Sequence, residues 1–232
     1  MGEAATIDTV LEAFLEDQRR RLSARTMRNY DDIISLLRHS LNGYAYMDLD
    51  EADLKRFEAA MDDGDDEAFC HLFGPEYILG HLGEFLGYFM IRKVMGSQDL
   101  LRAAGTVTKK LATWLYEQGY VNEAERDAAR DEGGQAARDL PRAEQLANLL
   151  YDQSRSALAF DPDVLGEDSI VEGCLTIERI EPGALYFADG IGPVAVSEQA
   201  SSLAEVDWDV NITLAHVDGA WRVLEVGNVY PL

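Results

Sequence analysis

Lysine is scarce in this chain: only four of 232 residues, two of them adjacent at Lys109 and Lys110, and all 20 Lys and Arg face 43 Asp and Glu. The formal net charge of −23 repels a phosphate backbone at long range. That argues against non-specific nucleic-acid binding by the whole molecule and leaves only local positive faces open. Long apolar runs are also missing. The best candidate, "FLGYFMI" at 85–91, is stopped by Arg92 and Lys93, far short of a membrane span. The opening "MGEAATIDTVLEAFLEDQRRR" has acids before its first base and no apolar h-region, so no signal peptide is expected and the expected compartment is the cytoplasm. In that compartment the two cysteines, Cys70 and Cys174, are expected as free thiols.

Several chemistries fall with these absences. No CxxC or HxxxH spacing occurs, and adjacent Cys70 and His71 cannot readily face one ion. "DDGDDE" at 62–67 lacks the ligand alternation of a calcium loop. "GTVTKK" lacks the second glycine of a P-loop, and "GIGPVA" at 190–195 leads into a strand, with Pro193 where a dinucleotide-binding turn opens a helix. There is no GxSxG elbow. No metal, cofactor or catalytic residue is therefore expected.

What is present is enough apolar content, 47%, for two domains. Ile7 to about Tyr151 reads as helical: Ile7, Val10, Leu11, Phe14 and Leu15 recur at helical spacing, as do Met27, Tyr30, Ile33, Ile34 and Leu37. Asp50 is the expected N-cap of a helix carrying Leu54, Phe57 and Met61. Two further helices are expected at 75–95 and 97–120, the second with a possible break at Gly105. Gly80, Gly83 and Gly87 share a face that would admit another helix. Residues 122–168 are polar, with a helix expected from Pro141 to about Ala159. From Ser169 the period becomes two, and five short strands follow, with "DG" at 218–219 as a hairpin signal. In unbroken register Glu225 would fall opposite Ile212 on the apolar face, so a bulge near Gly227 is expected, turning Leu224 and Val226 inward. The expected fold is α+β: an all-α multi-helix domain at 1–160, a linker at 161–168, and a small antiparallel barrel, SH3-like or OB-like, at 169–232.

Charge is uneven along the chain. Residues 47–83 hold 2 bases and 11 acids, 171–232 hold 2 and 10, and only 84–121 is net positive, with 5 and 3. That segment contains "TVTKKLATWLYEQGYV" at 106–121. On a helical wheel Val107, Leu111, Trp114 and Leu115 form one face; Lys109, Thr113 and Tyr116 lie opposite, flanked by Lys110. Cations, a hydroxyl and an aromatic together suit contacts to phosphates and base edges.

"SARTMRNYDDIISLL", "MDLDEADLKRFEAAM" and "TVTKKLATWLYEQGYV" together resemble the N-terminal core-binding, SAM-like domain of tyrosine recombinases and phage integrases. The likeness is carried by Thr26 and Tyr30, an Asp-rich helix start, Trp114-Leu115, and the exit Gly119-Tyr120-Val121. It covers about 100 residues, and it implies a clamp on duplex DNA with Arg25, Thr26, Arg28, Lys109, Lys110 and Thr113 as DNA-facing positions. The stretch from Glu67 to Met95 is longer and more apolar than the family's usual connection. No His-x-x-Arg occurs, and residues 122–232 have no room for the family's catalytic domain. The sequence therefore reads as a non-catalytic DNA-associated adaptor or regulator: double-stranded DNA on the helical domain, a protein partner on the acidic barrel, no membrane. Alternatives are a protein-interaction scaffold of the same fold, dimeric through the glycine face, and an enzyme with an interdomain pocket.

Overall fold

A computed structural model describes residues 5–157 and 169–231. The fold is α+β, with helices in the N-terminal part followed by a closed five-stranded barrel. The expected linker at 161–168 lies outside the described residues. The chain divides into two compact units, Met1–Ala137 and Arg138–Leu232.

The first unit holds α1 (Ile7–Arg19), α2 (Ala24–Tyr44), a 3-10 turn (Ala45–Asp48) and α3 (Glu51–Asp62). After these come α4 (Ala68–Leu72), α5 (Glu76–Gly80), α6 (Leu82–Glu84), a π turn (Phe85–Phe89), α7 (Met90–Arg92) and α8 (Gln98–Glu117). The starts follow side-chain caps: Thr6 with Thr9 on α1, Ser23 on α2, Asp50 on α3 and Ser97 on α8. The expected helix at 75–95 is an irregular succession of short pieces instead of one helix. The apolar stripes of α1 and α2 are buried as their spacing requires, and Phe14 joins three helices, 6.0 Å from the Tyr30 ring and 5.7 Å from the Trp114 ring.

Three expectations are corrected here. The last helix, α9 (Glu123–Ala157), begins 18 residues before Pro141. Its start is a reciprocal cap: Asn122 Oδ1 accepts from the Glu125 amide at 3.1 Å, and Glu125 Oε2 accepts from the Asn122 amide at 2.7 Å. Pro141 lies inside it and leaves the carbonyl four residues back without its helical donor, at Ala137, where the two units divide. Secondly, α8 runs unbroken through Gly105. Thirdly, within this chain the close helix approach is not at Gly80, where a Cβ would meet open space, or at Gly83, where it would meet only the Glu132 side chain. It is at Gly105, where a Cβ would fall on the Gly133 carbonyl oxygen and the Ala137 amide nitrogen of α9. Reciprocally, a Cβ on Gly133 would lie 2.8 Å from the Gly105 carbonyl oxygen.

In the second unit β1 (Ile170–Glu181), β2 (Ala184–Phe187), β3 (Ile191–Ala195), a short α10 (Glu198–Leu203), β4 (Asp209–Val217) and β5 (Ala220–Tyr230) close in the order β1-β2-β3-β5-β4. The order β4-β1-β2-β3 is a Greek key, so of the two expected barrel types this is the OB-like one. One pair, β3 with β5, is parallel. The hairpin forms as expected: Val217 pairs with Ala220 across Asp218 and Gly219, both at positive φ (52° and 79°). Strand β5 carries two bulges, one on either side of Val226. The upstream one sets Glu225 opposite Thr213 and exposes it; Val223 and Val229 are the fully inward residues, while Leu224 and Val226 are half-buried. Ala143, Leu146 and Leu150 of α9 join Ile177, Phe187, Val210 and Leu214 in the barrel core. Arg142 reinforces this packing, donating to the Leu203 carbonyl at 3.0 Å and lying 5.3 Å from the Trp208 ring centre.

Gly105→Ala lowers the denaturation midpoint by the equivalent of about 3 kcal/mol, since the added carbon meets backbone on the facing helix. Gly80→Ala is neutral or gains up to about 1 kcal/mol. Burial raises the pKa of half-buried Glu132, so ionised Glu132 costs stability as pH rises through its folded value, and the cost disappears below the ordinary Glu value. Glu132→Gln therefore raises the thermal midpoint near neutral pH, and the difference closes as pH falls toward about 4.

Candidate nucleic-acid interface

The orientation of α8 is set by what it buries. Val107, Leu111, Trp114 and Leu115 are core, as the wheel predicts, and Gly105 lies against α9. The opposite side is a ridge. At 100° per residue Thr106, Lys109, Lys110 and Thr113 all fall within about 80° of Arg102, a line about 16 Å long at 1.5 Å per residue. Arg102, Thr106 and Lys110 are exposed, and Lys109 and Thr113 are half-buried. The half-burial of Lys109 has a clear source: its Cγ lies 2.9 Å from the position of a Cβ on Gly133, so its stem rests along α9. The Thr106 hydroxyl donates to the Arg102 carbonyl at 3.0 Å and the Thr113 hydroxyl to the Lys109 carbonyl at 2.9 Å. Both oxygens keep acceptor capacity, while hydrogen-bond donation to an anion falls to the three cations.

Arg25, Thr26 and Arg28 are exposed at the start of α2. The Ser23 hydroxyl accepts from the Thr26 amide at 3.2 Å and lies 3.0 Å from the Thr26 hydroxyl. A cleft of about 230 Å³ joins this end of α2 to α8; Thr26, Asn29 and Tyr30 line one wall and Asp99, Arg102, Ala103, Thr106 and Val107 the other. Burial pushes the Tyr30 phenol above its usual pKa, so it stays protonated at neutral pH. Thr26 is thus brought to Arg102 and Thr106, in the first half of α8. Asn29, Arg102 and Thr106 were not singled out from the sequence. For Arg102 and Thr106 the signal was the spacing Arg102, Thr106, Lys109/Lys110, Thr113, which continues the Lys109–Thr113 face one full turn and more toward the helix start.

The electrostatics separate these positions from the bases of α1 and α3. Arg19, Arg20 and Arg21 bind Asp31, Glu16 and Asp17 at 2.8–3.0 Å, and Lys55 and Arg56 bind Glu51 and Asp53 at 2.6 and 2.7 Å. Among the described residues, Arg25, Arg28, Lys109 and Lys110 have no carboxylate within 4.0 Å, and Arg102 has only Asp99 at 3.5 Å. Tyr116, on the same side of α8, stays exposed with the Arg126 guanidinium 4.3 Å from its ring centre.

Other reactive groups are muted. Burial pushes the Cys70 thiol up to about 12, too high for a thiolate at neutral pH. His71 lies 2.9 Å from Asp65 in the exposed acidic loop, and that contact raises its pKa. Among the described residues no group of three or more His, Cys, Asp or Glu is arranged to hold a metal ion, and no helix is long and apolar enough to cross a membrane. Comparison with protein-family models, curated proteins and solved structures finds no match.

If the ridge is surface and not scaffold, Arg102→Ala and Lys110→Ala leave the unfolding free energy within about 0.5 kcal/mol of the parent. Trp114→Ala, by contrast, costs about 3–5 kcal/mol. Chemical denaturation of the three variants measures this directly.

Proposed function

We propose that the protein is a non-catalytic DNA-associated adaptor or regulator whose helical unit grips one side of a duplex with α8 and the start of α2. The observation that carries this reading is the ridge itself: three cations in line on one exposed helix face, joined by a cleft to the start of α2, which carries exposed Arg25 and Arg28, and four of these five bases have no carboxylate within 4.0 Å among the described residues. In a chain of net charge −23, a segment such as 84–121 that carries more bases than acids stands out, and α8 holds three of its five bases. The likeness to the integrase core-binding domain points the same way and assigns overlapping positions. In this reading Arg102, Lys109, Lys110, Arg25 and Arg28 contact phosphates, and Asn29 and the threonines add polar contacts at the cleft. Repulsion from the acidic remainder keeps binding weak away from preferred sites, a useful property in a regulator.

A protein-partner role for the barrel accompanies this. Residues 171–232 hold only two bases; one, Arg179, is bound to Glu181 and stacked 3.4 Å over the Tyr186 ring. Such a surface disfavours nucleic acid and suits a basic protein.

Titrating duplex DNA at several salt concentrations tests the reading. With four or five phosphate contacts, log affinity falls against log salt with a slope of about −4, and Lys109→Glu with Lys110→Glu reduces that slope by about 2 and the affinity at least tenfold. Absence of binding to any duplex at low salt, with a partner pulled down unchanged by those substitutions, leaves only the protein-contact reading.

A further inference from the structure

A second surface on the helical unit is independent of the DNA reading. Tyr46, in the 3-10 turn after α2, lays its ring flat on Phe57 of α3, 5.4 Å between centres and 6° between planes. Phe57 is thereby buried, yet the residues around it stay open: Tyr46 is 37% exposed, Met47 63% and Met61, one turn beyond Phe57, 41%. These are three of the chain's few large exposed apolar side chains, and two are methionines, whose flexible thioethers adapt to varied apolar partners.

The rim of this patch is acidic. Asp48 and Asp62 directly follow the two methionines, and Asp50 and Asp63 are also exposed. The two bases among residues 47–83 do not offset them: Lys55 and Arg56 are bound to Glu51 and Asp53 of their own helix, and at 100° per residue they lie about 120–140° around α3 from Met61.

We infer that the Tyr46–Met47–Met61 patch docks a basic amphipathic helix of a partner protein, its apolar face on the methionines and tyrosine and its Lys or Arg on the surrounding aspartates. The charge excludes the other occupants. An anionic membrane surface or a nucleic acid meets like charge here. Two copies of this chain joined patch to patch by a two-fold axis would bring the aspartates together. A cationic amphipathic helix laid across the patch satisfies both the apolar centre and the acidic rim.

The test uses the full chain and a fluorescent synthetic peptide of about 18 residues, with leucine on one helical face and lysine on the other. A scrambled peptide of the same composition controls for bulk attraction to an acidic protein. The amphipathic peptide is expected to bind at least tenfold more tightly than the scrambled one. The double variant Met47→Gln, Met61→Gln is expected to lose that advantage while keeping its unfolding midpoint, because both side chains are exposed. Lys109→Glu with Lys110→Glu is expected to keep the advantage, which separates this surface from the α8 ridge. Equal affinity for the two peptides, or an advantage that survives the methionine substitutions, overturns the proposal.

Discussion

The contact on which the candidate interface depends is the crossing of α8 and α9 at Gly105 and Gly133, where backbone meets backbone with no room for a side-chain carbon on either helix. Once those glycines face each other, the rotation of α8 about its axis is fixed: Trp114 goes to Phe14, Leu111 and Leu115 go to the core, and Arg102, Thr106 and Lys110 are left on the exposed side. The same crossing gives Lys109 its particular environment, a stem against α9 and no carboxylate partner among the described residues. A long side chain pinned along its stem loses less conformational freedom when its ammonium meets an anion than one moving freely in water. The packing of small residues inside the unit and the chemistry outside it are thus one constraint seen from two sides.

In the barrel the comparable constraint is alternation. Strand β4 sends Val210, Ile212 and Leu214 inward without interruption, but its partner β5 cannot match it residue for residue and keep Glu225 out of the core. The bulge between Val223 and Glu225 resolves the conflict, and a second one between Val226 and Val229 adds a further residue to β5. The last part of α9 contributes Ala143, Leu146 and Leu150 to the same core, so the barrel's apolar interior is completed by a helix as well as by its own strands.

Much of this was legible from the residues because local signals agreed with the tertiary outcome. The 3.6-residue stripes of α1 and α2, the Asp50 cap, the Asp218-Gly219 turn and the five strands each have a short-range cause. Where legibility failed, the cause was long-range or easily overlooked. Gly105 looked like a break because a lone glycine weakens an isolated helix, and only its partner 28 positions later shows why it is tolerated. The beginning of α9 was hidden by a polar composition, although Asn122 and Glu125 already formed a capping pair in the sequence. At the candidate interface, Lys109, Lys110 and Thr113 were visible as a helix face, but extending it to Arg102 and Thr106 required knowing that α8 continues through Gly105. Asn29 had no signal of its own; it belongs to the cleft only because α2 packs on α8.

The proposed duplex-binding surface is the one built by α8 and the start of α2. Mapping backbone amide shifts by NMR during a titration with duplex DNA at low salt reports that place residue by residue. Perturbations are expected to concentrate at residues 25–29 and 102–113, with the barrel strands unmoved. Shifts confined to the barrel or to the acidic patch around Met47 and Met61, or none at saturating DNA, would contradict that placement.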